Sequence, residues 1–314
     1  MATKSNFSPI GKLLSNSWKT FRENLTTLIV WLFIGIGLNI VVFIIGLLVA
    51  LPLGGFTLFQ IFTGKPNLAM LLPSIGGLVI LGIILSFVFI VLSYILQIGS
   101  ILIVGKGQKN YGVLFKKGLS LALPLFLTNL LSFFIVFGSF FVLIIPAIIF
   151  QIAFAFSAYE VILNNQRYAA ALKRSMKIIF SNFGPLFVRF LVIIGIYILV
   201  AFLPSIIING ANKNAGGFYG FISFFINLAL GWFVLCYNVN LYKEASRGFE
   251  KNKGSKLLIP MLIALVGWVI SILLITTLIG FITTMVSNNF KNAKPTPIKQ
   301  QLKTLPSTTS KIPY

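Results

Sequence analysis

The side chains that could run chemistry in this chain are few, and their scarcity narrows the function before any element is placed. The carboxylates are Glu23, Glu160, Glu244 and Glu250; there is no aspartate and no histidine. General acid–base catalysis and metal-assisted hydrolysis draw mostly on those missing residue types. A Ser-His-Asp triad is impossible without two of its members. No Gly-x-x-x-x-Gly-Lys-Ser/Thr phosphate loop occurs. Cys236, the single cysteine, sits in an apolar run with no metal-ligand spacing around it. The chain reads as a non-enzyme, with no cofactor and no metal.

What remains is polar chemistry inside or beside apolar segments. Glu160 ends an apolar run and is followed by Arg167 and Lys173. A salt bridge from Glu160 to Arg167, or to Lys173, would fix that run to the segment after it. Proton-coupled transport through buried carboxylates has no second member to work with. Among neutral residues, Ser93, Gln97 and Ser100 share a face, Gln151 and Ser157 lie in another run, and Asn227, Asn238 and Asn240 in a third. Such groups usually bond between helices, for about 0.6 kcal/mol each. If Gln97, Gln151 and Asn238 converged, they would instead line a polar pathway for a small solute.

The cations need a partner. A net charge of +21 is of the size that nucleic-acid binders carry. Here the basic residues fall in short clusters between apolar runs, with no soluble domain to present them, so nucleic acid is not the partner. Lys19, Arg22, Arg167, Lys173, Arg174 and Lys177 are instead placed to contact anionic lipid headgroups. A membrane protein is the other candidate partner.

The elements that position these residues follow from composition. Hydrophobic residues make up 58% and charged residues 9%, against about 25% charged in soluble domains. With so little charge the chain cannot coat itself in polar surface, so the bilayer is its solvent. A span needs about 20 mostly apolar residues. Seven runs qualify, at roughly Leu25–Leu51, Leu78–Val104, Leu121–Leu143, Ile144–Leu163, Leu186–Ile208, Phe221–Leu241 and Leu257–Val286. They lack the alternation of barrel strands, and isolated spans must be helical to pair their backbone in lipid. Gly138 and Pro146 mark the expected turn between the third and fourth. The fold class is therefore an all-α polytopic bundle. A cytoplasmic amphipathic segment (1–24) precedes a transmembrane domain (25–286), and a basic, proline-containing tail (287–314) expected to be disordered follows it.

Basic loop residues favour the cytoplasm. They crowd the N-terminal segment and the loops after the second, fourth and sixth runs, while only Lys65 and Lys213 lie in the opposite loops. This places the N-terminus in the cytoplasm. Seven spans put the lysine-bearing tail outside, and six would put it inside. The N-terminus, Met1 to Pro9, lacks the features of a cleaved signal peptide.

The sequence also repeats. Ser17-Trp18-Lys19 with Asn24 and Leu28 matches Ser175-Met176-Lys177 with Asn182 and Leu186. Lys117, Lys177 and Lys253 each precede a proline, Pro124, Pro185 or Pro260, at the expected entry of a span, where a missing N–H is tolerated. Pro52, Pro146 and Pro204 fall where the first, third and fifth spans are expected to exit. Ile10, Leu14, Trp18, Phe21 and Leu25 recur at helical spacing opposite Lys12, Asn16, Lys19 and Glu23. Tyr168, Leu172, Met176, Ile179 and Phe183 do the same opposite Arg167, Lys173, Arg174 and Lys177. These segments are expected to be elbow helices in the membrane interface, gripping the leaflet or a partner, or finishing the edge of the bundle. Three parallel elbow-plus-hairpin units and a seventh span result.

One stretch resembles a family. Ala158-Tyr159-Glu160, then Ala171-Leu172-Lys173-Arg174-Ser175, then Asn182-Phe183 entering an apolar run, is similar to a pattern of bacterial multi-pass proteins. These are the YciC-type proteins and the membrane domain attached to some glycerophosphoryl diester phosphodiesterases. Leu143-Ile144-Ile145-Pro146-Ala147-Ile148-Ile149 resembles their proline-containing turn. The resemblance implies a membrane scaffold, without the catalytic barrel, whose metal chemistry needs His and Asp. The reading is a multi-pass protein of a prokaryotic cytoplasmic membrane, acting as a non-enzymatic scaffold or accessory subunit. The alternative is a transporter or channel for a small neutral or lipid-like solute.

Overall fold

A computed structural model describes residues 7–62, 68–211, 216–247 and 257–292. The described residues form nine helices: α1 (Ile10–Phe62), α2 (Leu68–Lys106), α3 (Tyr111–Val142), α4 (Ile144–Ala153), α5 (Ser157–Asn164), α6 (Ala169–Ser181), α7 (Phe183–Ala211), α8 (Gly216–Ala245) and α9 (Leu258–Asn292). There is no strand among them. Seven stretches are long and apolar enough to cross a membrane, with α4 and α5 together forming the fourth. The chain is an all-α, multi-pass membrane bundle. Residues 293–314, most of the expected tail, lie outside the described residues; 287–292 continue α9. Lys65, Lys213, Lys253 and Glu250 also lie outside them.

The breaks between helices fall where local chemistry forces them. Leu143 is extended (φ −160°, ψ 147°) and separates α3 from α4. Pro146 follows three residues later, inside the first turn of α4, where its lost donor costs nothing. Gly138 is not part of this turn. It lies inside α3, where α9 crosses: a Cβ on Gly138 would sit 2.6 Å from the Ala264 carbonyl oxygen, and one on Gly267 would overlap the carbonyl of Gly138. The two glycines let the backbones touch, as small residues do in membrane helix pairs.

The elbows differ from expectation. No Pro or Gly interrupts residues 12–34, so the N-terminal segment and the first span are one continuous helix. Only α6 is a separate helix, because Gly184-Pro185 disfavours helical continuation just after Asn182. Pro124 lies deep inside α3 and Pro52 inside α1, so neither marks a helix end. The buried stripe of α1 is also rotated from the expected one. Leu13, Ser17, Phe21, Leu28 and Trp31 are buried, whereas Trp18 is half exposed. Ser17 and Thr20 face α8, where the Asn240 amide donates to their hydroxyls at 3.4 and 3.2 Å.

Packing is concentrated at one end. Cores around Trp31, Ile98, Leu102, Leu125 and Cys236, around Leu13, Phe156, Ile179 and Tyr237, and around Phe150, Leu172 and Met176 all sit near it. The N-terminal segment, the 165–168 turn and the end of α8 meet there, through contacts from Ser8 to Glu244 and from Asn164 to Tyr242. Away from that end, Ile40–Leu51 of α1 and residues 272–287 of α9 are largely exposed along their apolar length. Lipid covers apolar surface without penalty, so this half needs no protein core.

Candidate functional site

The chain reverses between α5 and α6 through Asn165, which adopts the left-handed conformation (φ 56°, ψ 28°) that asparagine tolerates better than most residues. Its backbone N–H and that of Gln166 both reach the Glu160 carbonyl. The reversal lays α6 beside α5 and brings a buried polar cluster together. Glu160 is fully buried. Its Oε1 lies 3.0 Å from Arg174 Nε, an ion pair, and accepts a hydrogen bond from the Tyr242 hydroxyl at 2.8 Å. Its Oε2 accepts from the Asn164 amide at 3.0 Å, and that amide also reaches the Tyr242 hydroxyl. Tyr159 stacks on Tyr242 with ring centres 5.4 Å apart, and Phe156 meets Tyr242 edge-on.

The partner of Glu160 is therefore Arg174 and not Arg167. Arg167 sits in the exposed turn, while Arg174 lies on the buried side of α6 beside Ala171, Ser175 and Ile178. The same geometry removes Arg174 from the headgroup set. It also corrects the picture of α6 as an interfacial elbow. Leu172, Met176 and Ile179 are buried as the amphipathic pattern predicts, but so are Ala171, Arg174, Ser175 and Ile178. The helix is wedged inside the bundle.

Ser175 holds the adjacent break. Between α4 and α5 the backbone leaves the helix at 154–156. The Ser175 hydroxyl accepts from the Phe156 N–H at 3.1 Å and donates to the Ala153 carbonyl at 2.8 Å. One buried side chain thus pairs both loose ends, which lipid could not do.

A second cluster ties down the N-terminus. Arg189 is buried; its guanidinium donates to the Pro185 carbonyl at 2.8 Å and to the Ser8 carbonyl at 2.7 Å, and lies 4.6 Å from the Phe7 ring centre. The Ser8 hydroxyl donates to Glu244, and the Tyr237 hydroxyl donates to the Arg189 carbonyl at 3.0 Å. Arg189 does not snorkel to headgroups; residues 7–9 form a strap that gives it acceptors. No sequence pattern identifies this cluster, because its members are distant in the chain and individually ordinary.

The intramembrane trio does not converge. Gln97 is exposed and lines a 390 Å³ groove with Phe89, Ile90, Ser93, Tyr94 and Asn129. Asn238 lines a separate 270 Å³ groove with Tyr159, Phe190, Tyr197 and Val234. Gln151 is exposed on α4 and lines neither groove. Each sits on a different helix; Gln97 and Gln151 are exposed, whereas Asn238 is half-buried with its side-chain oxygen buried. Lys19 and Arg22 are exposed beside Trp18 and Glu23 in a surface recess, Lys173 is exposed, and Lys177 is half-buried. Lys19 and Glu23 approach to 4.0 Å, an exposed pair worth little. Among the described residues no three His, Cys, Asp or Glu side chains gather to hold a metal.

Comparison with family models, with curated proteins and with solved structures finds no match to this chain.

Proposed function

We propose that this chain is a non-enzymatic scaffold or accessory subunit of a prokaryotic cytoplasmic membrane, with its N-terminus in the cytoplasm. One observation carries the reading: the fully buried carboxylate, Glu160, is closed off by groups of the chain itself. Glu160 has its oxygens occupied by Arg174, Tyr242 and Asn164, while Gln97, Gln151 and Asn238 lie on three different helices and do not converge. A transported solute needs polar groups that converge on a path and can exchange partners. A scaffold needs a rigid frame with broad outward faces, and the fused α1 helix and exposed α9 supply them. The tightly packed end, crowded with cations, lies with the anionic headgroups of the inner leaflet under this reading. The motif around Glu160 and Ser175 supports a place beside the YciC-type proteins.

Reconstitution into liposomes tests it. The purified chain leaves vesicles impermeable to neutral solutes and does not exchange lipids between leaflets, and a photo-crosslinker at Ile275 of α9 captures a membrane protein in cells. Solute uptake or lipid exchange above that of empty vesicles overturns the scaffold in favour of a transporter.

A further inference from the structure

Two charges in the cluster that ties down the N-terminus are only half satisfied. Arg189 is buried, and its Nε has no hydrogen-bond partner among the described residues. Glu244 is half-buried, and its Oε2 is buried without one. The ion pairs among the described residues are Lys19–Glu23 and Glu160–Arg174, so Arg189 and Glu244 do not meet each other. Ser8 stands between them. Its carbonyl accepts from Arg189 Nη2 at 2.7 Å, and its hydroxyl donates to Glu244 Oε1. A cation and a nearby anion are thus each bonded only to neutral groups. That is costly away from water, where a charge is best compensated by an opposite charge that also hydrogen-bonds to it.

The unpaired atoms define what completes the cluster. Nε and Nη2 of a guanidinium point the same way, a fork that suits two oxygens of one oxyanion. Ser8 offers this fork a single neutral oxygen. The second oxygen of Glu244 needs a donor, and an ammonium group supplies a donor and the opposite charge together. One molecule meets both needs if it carries an oxyanion and a primary ammonium a short link apart. Ser8 sets the reach, because its acceptor and donor are joined through C, Cα and Cβ. A phosphoethanolamine group joins its phosphate to its ammonium through an ester oxygen and two methylenes, a comparable length. The carboxylate and ammonium of a free α-amino acid are closer together than the two groups of Ser8.

The strap is placed to act as a lid. The Phe7 ring lies against the guanidinium, 4.6 Å from its centre. Pro9 is exposed and directly precedes α1, so residues 7–9 can swing aside without unwinding that helix. We propose that Arg189 and Glu244 form a binding site for a phosphoethanolamine group. The phosphate sits on Arg189 Nε and Nη2, the ammonium sits on Glu244, and the 7–9 strap is the lid that the ligand displaces. A lipid headgroup and a free small molecule both carry this chemistry. The inference stands on the strap cluster and does not depend on the scaffold reading.

The test reads strap release in the full chain, by hydrogen exchange at residues 7–12 in nanodiscs of phosphatidylglycerol. Phosphatidylethanolamine is then added to the discs, or phosphatidylcholine, or soluble phosphoethanolamine to the buffer. A ligand present at about ten times its dissociation constant from the open form raises exchange about tenfold. Choline has the same charge but no N–H to donate to Glu244, so phosphatidylcholine leaves the strap protected. Glu244→Gln keeps an oxygen for Ser8 but not the charge, and it loses the response to ethanolamine while α8 keeps its protection. A response to the ethanolamine lipid identifies a headgroup as the ligand, and a response to soluble phosphoethanolamine identifies a free zwitterion; either supports the site. Equal responses to ethanolamine and choline, no response to any of the three, or an undiminished response in Glu244→Gln overturns it.

Discussion

Glu160 of α5 and Arg174 of α6 lie 3.0 Å apart, both buried, on either side of a chain reversal centred on the left-handed Asn165. The pair joins the two helices that flank the turn. Two charges taken out of water together are tolerable, but one alone is not. Removing a single partner of a buried pair costs about 3–5 kcal/mol, whereas replacing both by apolar groups of similar size is often neutral. Glu160→Gln and Arg174→Met should each lower the thermal midpoint in detergent strongly, and the double variant Glu160→Leu/Arg174→Met should recover most of the loss. Arg167→Ala, in the exposed turn, should leave the midpoint unchanged. A large loss from Arg167→Ala and none from Arg174→Met would reverse the assignment.

Ser175 offers a smaller and more local test. Ser175→Ala leaves the buried N–H of Phe156 without its acceptor, and an unsatisfied buried donor costs about 1–3 kcal/mol. Ser175→Thr keeps the hydroxyl but adds a methyl group to a fully buried position. Hydrogen exchange at residues 154–157 should rise in Ser175→Ala, while amides of the distant α1–α2 pair keep their protection. Equal exchange at 154–157 in the two proteins would mean that the break is held by something other than Ser175.

The spans were readable because the lipid-facing surface imposes one rule, apolarity over a fixed length, and all seven runs obey it. The turn at Leu143 was readable to within a few residues, since Pro146 constrains what precedes it. Gly138 was misread for a physical reason: a glycine that ends a helix and a glycine that admits a neighbouring backbone look alike until the neighbour, Gly267, is known. The fate of the elbows turned on whether a breaker was present; Gly184-Pro185 makes one, and residues 12–34 have none. Glu160 stood out as a carboxylate at the end of an apolar run, but its burial and its partners Arg174 and Tyr242 did not, because spacing along the chain says nothing about which side of α6 or α8 turns inward.

The Gly138–Gly267 crossing makes a prediction about α9. This helix packs chiefly on α3, with Trp268 bonded to the Phe134 carbonyl at 3.1 Å and its later half exposed. Gly267→Val places a branched side chain where the Gly138 carbonyl lies, and the clash is with backbone, which cannot swing aside. A disulfide engineered between α3 and α9 near this crossing, in a Cys236→Ser background, should form in the parent and fail in Gly267→Val. Gly37→Val, where open space surrounds the Cβ position, should not affect it.

The strap at residues 7–9 gives the last prediction. Arg189 holds the Ser8 carbonyl, and Ser8 in turn holds Glu244, so three segments of the chain are joined through a serine. Arg189→Ala removes the charged donor and frees Phe7 from the guanidinium it packs against. Hydrogen bonds to a charged group are worth about 1.5–3 kcal/mol each, enough to shift the strap from mostly docked to mostly free. Trypsin cleavage at Lys12, in the first turns of α1, should then speed up at least tenfold in detergent, with α8 and the Glu160 cluster still protected. Arg189→Lys retains the charge but has no planar fork to span the Pro185 and Ser8 carbonyls together, so its cleavage rate should fall between the two. If both variants are cut at the parent's rate, the strap is held by its own helix rather than by Arg189.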